Sequence, residues 1–475
     1  MITGLLVDVA RGAAIVLAAS AAARVLLALC DRRLVVALLA TWVAVPALAV
    51  AYAWATLPGL LLPDTALAQL LHLLLAALRL APVVLLVVGC VPPPPWSAAA
   101  FHCLRLRSPT RRGPAVRWWT AGPGRRWLVA ALVVFPLAFG EFELGSRLGT
   151  ASWAVRLFDA QAGGQYLSVT LAAAAPGVAI QLAALLAAWR LLRGGGARTG
   201  EEPPAAAAPA PPLRAGAWVL LLGGSAALVV LPVATVVLQA GQGLDVVVAQ
   251  ATTLRRELGA SLVFAGVASA AAWVLAALLL PAWSGRAGAP APSRMRGVLV
   301  LLALIPGLCG SLVIGLAGLA LVQLPPLRGL AGTPLPLVAA LVALVLPSAL
   351  LLRWMAGSPL TGAAWHQVRL LQPGDAAQAG AARSLRWQLV GRRQWWAVTL
   401  LFLWTYCDLA ASAILHPVDM TPVLVRLYNL MHYGQSTALA VQVLMALLAP
   451  LLVLVLVYAL VRLPPWHALV RRPAP

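Results

Sequence analysis

Lysine is absent from this chain, and acidic residues are few. All 34 basic residues are arginine, while aspartate and glutamate together number 13, which leaves a formal net charge of +21. Charged residues make up only 10% of the chain, whereas a soluble domain carries about 25%. This scarcity of charge excludes an ordinary water-soluble globular protein.

Cysteine and histidine are too dispersed to form a metal centre. The five cysteines (30, 90, 103, 309 and 407) include no CxxC pair, and the six histidines form no HExxH motif. The sequence also has no GxxxxGK[ST] phosphate loop, no nucleophile constellation and no paired catalytic carboxylates. We therefore expect no cofactor, no metal site and no enzymatic activity in this chain.

Apolar residues are abundant and occur in long runs. They make up 62% of the sequence, and the mean hydropathy is +0.93. A bilayer core needs about 20 apolar residues per helix. The sequence predicts an all-α polytopic transmembrane bundle of about eleven spans: 13–30, 34–56, 66–90, 127–146, 166–190, 216–240, 258–281, 298–323, 334–356, 396–416 and 438–462.

The distribution of arginine predicts the orientation. The N-terminal run resembles a signal peptide. However, Arg24, Arg32 and Arg33 lie at its far end and only Arg11 at its near end, and this charge difference favours an uncleaved first span with the N-terminus outside. The arginine-rich loops 91–126, 191–215, 282–297 and 357–395 and the C-terminus then lie in the cytoplasm. We expect a bacterial inner-membrane protein whose arginines contact lipid headgroups rather than nucleic acid.

Composition divides the chain into two membrane regions. The segment 194–212 is rich in Gly, Ala and Pro and has no apolar periodicity, which is typical of a linker. The predicted units are a first repeat (1–190), a cytoplasmic linker (191–215), a second repeat (216–465) and a cytoplasmic tail (466–475).

The two membrane regions repeat each other in sequence. At a separation of 267 residues the matches are Gly113 with Gly380, the Gly-Arg-Arg triplet 124–126 with 391–393, and Glu141 with Asp408. At a separation of 270 they are Arg156 with Arg426, Leu157 with Leu427, Phe158 with Tyr428, Asp159 with Asn429, and Gly164 and Gln165 with Gly434 and Gln435. Because both copies start and end on the same side, we predict parallel repeats related by a pseudo-twofold axis along the membrane normal.

The second repeat carries a family resemblance. The string DAAQAGAARS at 375–384, followed by LWTYCDLAASAILHPVDMTPVLVRLYNLMHYGQ at 403–435, resembles the permease subunit of ABC importers, and most closely the fused two-repeat permeases for ferric iron. The resemblance implies cytoplasmic ABC ATPase subunits and a periplasmic or extracellular substrate-binding protein as partners. It also implies a cytoplasmic helix that docks into the ATPase. The first repeat lacks the leading helix of the family.

The resemblance places the ATPase-coupling loop at residues 375–386. Its candidate residues are Asp375, Ala376, Ala377, Gly380, Arg383 and Arg386, with Gly113 as the remnant in the first repeat. Gly374 stands where the family has Glu, and 391–393 stand where it has a Leu-Pro pair. An ordinary amphipathic loop is the alternative interpretation, and a degenerate permease that serves as a membrane scaffold without ATP coupling is the alternative function.

Three carboxylates and four outer-loop residues are further candidates. Glu141, Glu143 and Asp408 near the outer ends of two equivalent helices could line a cation path, or could be interfacial carboxylates paired with Arg147. Two Arg–aromatic pairs could dock the binding protein or anchor the headgroup region, namely Arg156 with Phe158 and Arg426 with Tyr428. Arg79, three residues before Pro82, marks a pore or an ion pair if it is buried, and otherwise snorkels from a tilted or broken helix.

Overall fold

The structure is a computed structural model. It describes residues 2–29, 33–56, 65–91, 98–107, 113–193, 211–241, 244–284, 294–356, 366, 370, 380, 382, 384–432 and 436–462. These residues are helical almost throughout, and they contain no β-strand.

The first half contains ten α-helices within the described residues. They are α1 (Ile2–Leu26), α2 (Arg33–Ala44), α3 (Ala47–Ala55), α4 (Ala66–Cys90), α5 (Ala98–Arg107), α6 (Gly113–Thr120), α7 (Arg125–Phe139), α8 (Glu143–Arg147), α9 (Trp153–Ala162) and α10 (Leu167–Arg193).

The second half continues the numbering over its described residues. Its helices are α11 (Pro211–Ser225), α12 (Leu231–Ala240), α13 (Leu244–Ser284), α14 (Arg294–Cys309), α15 (Ser311–Val322), α16 (Leu335–Ala356), α17 (Arg392–Tyr406), α18 (Ala410–Leu415), α19 (Val423–His432) and α20 (Ser436–Arg462). A π-helical turn, Ala226–Val230, joins α11 to α12, so that they form one continuous rod.

The protein is an all-α polytopic membrane protein. Among the described residues, eight helices are long and apolar enough to span a bilayer, and two bent pairs raise the number to ten. These correspond to ten of the eleven predicted spans. The predicted span at 396–416 is not among them. The structure places α17 and α18 there, separated at 407–409 as α7 and α8 are separated at 140–142.

The same helix contacts occur in both halves. In the first half α1, α4 and α7 pack against one another, and α3 packs on the short helix α8. In the second half α13, α16 and α17 form the equivalent trio, and α15 packs on α18. The rod α11–α12 follows the linker and has no counterpart among the described elements of the first half.

In both halves the span that follows the first helix of the trio, α1 or α13, is broken. The axis bends by 77° between α2 and α3 and by 116° between α14 and α15. Pro46 stands immediately before α3, where its missing N–H removes a helical hydrogen bond. Gly310 has φ +95°, a left-handed backbone that other residues avoid. Each break therefore has a local cause in the sequence.

The halves pack into common apolar cores. Buried Trp42 of α2 lies in one core with Ala217, Leu221 and Leu228 of the α11–α12 rod. The Trp42 Nε1 donates to Ser225 Oγ at 3.0 Å. The Tyr52 hydroxyl also donates to Gln239 Oε1 at 2.6 Å. The leading rod of the second half thus contributes to the core of the first.

Candidate functional site

The broken span α2–α3 is capped by charged side chains. A helix break leaves unpaired carbonyls on one side and unpaired N–H groups on the other. Arg79 of α4 donates from Nη1 to the Val45 carbonyl at 2.6 Å. Glu143 accepts a hydrogen bond from the Leu48 N–H of α3. Arg79, which is half-buried, therefore caps a helix end through a backbone carbonyl rather than a carboxylate.

The second break, at α14–α15, is held by hydrogen bonds from polar side chains of both halves. Ser311 Oγ, at the first position of α15, donates to Asp408 Oδ1. On the other side of the break, the Cys309 carbonyl accepts from Gln181 Nε2 of α10 at 3.0 Å. Gln181 also donates to the Pro136 carbonyl of α7 at 3.2 Å. The first half thus helps to hold the break of the second.

Glu141 and Asp408 have the same local role in the two repeats. Glu141 accepts from the backbone N–H groups of Leu144 and Gly145 at 2.7 and 3.1 Å. Asp408 accepts from the N–H of Ser412 at 3.1 Å, at the position that matches Gly145. Each carboxylate caps the first turn of the short helix that follows it.

A buried histidine supports the first of these carboxylates. His72 of α4, 1% exposed, places Nε2 at 2.8 Å from Glu141 Oε2. Its Nδ1 lies 3.0 Å from the hydroxyl of Thr150, which is also buried. The predicted alternative partner of the acids, Arg147, is not the group that Glu141 contacts.

The three candidate carboxylates lie near one another where the halves meet. Glu143 is within electrostatic range of Arg79, Glu141 and Asp408. Cys407 is close to Glu143, Arg79 and Asp408, and its Sγ lies 3.7 Å from the Ala44 carbonyl, which it approaches as a weak donor. We call Arg79, Glu141, Glu143, Cys407 and Asp408 the central polar cluster. Among the described residues, no group of three or more His, Cys, Asp or Glu is arranged to hold a metal ion.

The outer-loop aromatics are buried instead of facing outward. Phe158 and Tyr428 are 6% and 8% exposed. Their rings meet edge to face with centroids 5.7 Å apart, although they belong to different halves. The Tyr428 hydroxyl lies 3.3 Å from Ser146 Oγ, and burial raises the pKa of this hydroxyl.

The two outer-loop arginines bind carboxylates of the protein itself. Arg156 Nη2 lies 2.5 Å from Asp8 of α1. Arg426 Nε lies 3.8 Å from Glu257 of α13. Neither acid is among the residues predicted from the sequence. Asp8 and Glu257 are 249 residues apart, whereas the matched residues of the two repeats are 267 or 270 apart. A repeat search at a fixed separation does not align them.

The predicted coupling loop is described only in part. Asp375, Ala376, Ala377 and Arg383 lie outside the described residues. Gly113 begins α6. Gly380 is helical and half-buried with open space at its Cβ position, and Arg386 is exposed.

The repeated arginine pair differs between the halves. Arg125 is 1% exposed and donates to the carbonyls of Leu191 and Leu192 at the end of α10. Its equivalent, Arg392, is exposed. A cation at a helix C-terminus is favourable, so Arg125 fastens α10 to α7.

No protein-family model, curated protein or solved structure matches this chain.

Proposed function

We propose that this protein is the membrane-spanning permease subunit of an ATP-driven importer, with a substrate path between its two halves. The central polar cluster carries this proposal, because it joins a broken helix of the first half to Asp408 of the second. Ionisable residues are costly inside a membrane and commonly mark a transport path. Transporter sites lie at repeat interfaces beside discontinuous helices.

The partners and substrate follow from the family resemblance. ABC ATPase subunits would dock at 375–386, and a binding protein would deliver substrate at the opposite face. We infer a bacterial inner-membrane location with the N-terminus outside. A small cation such as ferric iron suits carboxylate oxygens as passing ligands.

A membrane scaffold without ATP coupling is the second candidate. The observation in its favour is that Glu141 and Asp408 both accept hydrogen bonds from protein groups. Carboxylates engaged in this way stabilise the fold whether or not anything passes between the halves.

The two candidates are distinguished by affinity purification of the tagged protein from native membranes in mild detergent. A matched pair of variants is Gly380→Arg in the predicted coupling loop and Gly329→Arg in the opposite loop, since both glycines have open space at Cβ. We expect an ATPase subunit to copurify with the parent and with Gly329→Arg, and to be lost with Gly380→Arg. If no ATPase is recovered even after cross-linking, the scaffold is the correct function.

A further inference from the structure

The aromatic contact between the halves is built from equivalent residues. Phe158 of α9 and Tyr428 of α19 occupy the same position in the two repeats. Phe142 completes the group, with its ring centroid 4.2 Å from Phe158 and 6.0 Å from Tyr428. Equivalent residues of a pseudo-twofold pair can touch only close to the axis. The three rings therefore lie on the line along which the proposed path would run.

This aromatic group adjoins the central polar cluster. Phe142 stands between Glu141 and Glu143 in the sequence and is 3% exposed. Because the rings of Phe158 and Tyr428 touch, α9 and α19 lie on the same face of the membrane, which we call the outer face. The rings consequently separate the polar cluster from the outer face.

The helices that carry the rings are fastened by ion pairs. Arg156, two residues before Phe158, binds Asp8, and Arg426, two residues before Tyr428, binds Glu257. Each pair connects the ring-bearing helix to the leading helix of its own trio, α1 or α13. The arginines are 48% and 38% exposed. The carboxylates of Asp8 and Glu257 are only 4% and 10% exposed, so each pair joins a solvent-facing arginine to a buried acid. The pair resists separation because the acid would be left without this partner, and it can open because the arginine is rehydrated.

We propose that Phe142, Phe158 and Tyr428 form a gate that closes the outer end of the path, and that the Arg156–Asp8 and Arg426–Glu257 pairs are latches that hold it shut. The structure is the outward-closed state. Opening separates α9 from α19, parts the rings and exposes the polar cluster. The role of the gate rests on the proposed transport function, whereas its closure can be measured without substrate or ATPase.

The first test measures the contact itself. All five native cysteines are replaced, Phe158→Cys and Tyr428→Cys are introduced, and a protease site is inserted in the linker at 194–210. Rings in contact leave their Cβ atoms too far apart for a direct disulfide, so a short bis-maleimide with a reducible centre is used to join the two cysteines. After treatment in membranes and cleavage, we expect the halves to stay joined on a non-reducing gel and to separate after reduction. The single-cysteine variants are the controls. Absence of the cross-link would overturn the gate.

The second test measures closure with native Cys407 as the reporter. Cys30, Cys90, Cys103 and Cys309 are replaced, and a charged, membrane-impermeant thiol reagent is added from the outer face. Asp8 also pairs with Arg11 of α1 at 3.1 Å, so the latches are removed at their arginines. We expect slow labelling in this background and labelling about tenfold faster in the double variant Arg156→Gln, Arg426→Gln, since the loss of two partly exposed ion pairs shifts a two-state equilibrium by that order.

Arg328→Gln is the matched control, because Arg328 is exposed in the loop between α15 and α16 and belongs to neither latch. If the double variant does not elute as a monodisperse peak, Phe158→Ala with Tyr428→Ala replaces it, with the same expected increase. Labelling no faster than in Arg328→Gln would overturn the latches. If the proposed transport function fails, no ATPase is recovered, while the cross-link and the labelling still report on the gate.

Discussion

Glu141 and Asp408 show why some residues are repeated and others are not. The repeated feature is the carboxylate that caps a short helix, because both halves contain that helix. Its second partner differs, being His72 in one half and Ser311 in the other. The capping role depends on a few neighbouring residues, whereas the second partner comes from a distant helix. The two repeats therefore share the capping of the short helix by a carboxylate, but differ in the residue that contacts that carboxylate from another helix.

A steric test at the residue scale compares two adjacent glycines of α11. A Cβ at Gly224 would lie 2.4 Å from the ring of buried Trp42, whereas a Cβ at Gly223 would meet nothing within 4 Å. We expect Gly224→Ala to destabilise the protein by about 1–3 kcal/mol, the usual cost of overpacking. Gly223→Ala should be neutral or slightly stabilising. The measurement is the temperature at which the monodisperse detergent peak is lost, and equal temperatures for the two variants would contradict this packing.

At the scale of elements, the broken spans determine where polar groups can lie. Each break exposes backbone groups that only side chains from neighbouring helices satisfy in a bilayer. Arg79 and Glu143 bond backbone groups at the first break, and Gln181 bonds the Cys309 carbonyl at the second. Asp408 reaches the second break through the Ser311 hydroxyl. The backbone groups at a break need polar partners, and polar side chains inside the bilayer need partners as well. Each satisfies the other, which explains why polar side chains and broken helices occur together.

The second break depends on one backbone conformation. Gly310 has φ +95° and ψ 162°, a region accessible essentially to glycine alone, although its Cβ position is free of neighbours. We expect Gly310→Ala to cost about 1–3 kcal/mol through backbone strain rather than through a clash. Gly259→Ala in α13, also without neighbours and without positive φ, is the control. Thermal stability in detergent is the measurement, and an unchanged Gly310→Ala protein would argue against the 116° break.

At the scale of the whole molecule, the two halves are fused by packing as well as by the chain. The α11–α12 rod packs against α1, α2 and α3 of the first half, and α12 also packs against α20 of the second. A second core contains Phe142 and Phe158 together with Phe402 and Tyr428. The linker is therefore not what holds the halves together.

Cleavage of the linker tests this conclusion. With a protease site inserted at 194–210, we expect both fragments of the folded protein to elute together in mild detergent, because the cores cross the boundary between the halves. The uncleaved chain provides the reference elution volume. Fragments that separate under the same conditions would show that the shared cores contribute little.

The sequence by itself determined the all-α membrane class and ten of the eleven predicted spans. A bilayer imposes a requirement on each segment separately, since about 20 consecutive apolar residues must form a helix. The repeat matches likewise identified the paired carboxylates and the Phe158–Tyr428 equivalence without any coordinates. The exception is the predicted span at 396–416, where α17 is 15 residues long and begins with Arg392 and Arg393.

Only the tertiary structure decided what these residues contact. Arg156 and Arg426 meet Asp8 and Glu257, and the aromatics predicted to lie at the surface are buried against each other. His72, 69 residues before Glu141, carries no sequence signal of its role. These contacts join residues that are distant along the chain, and their geometry depends on how the helices bend and pack. Local pattern specifies each helix, but the partner of a side chain is determined by the assembled bundle.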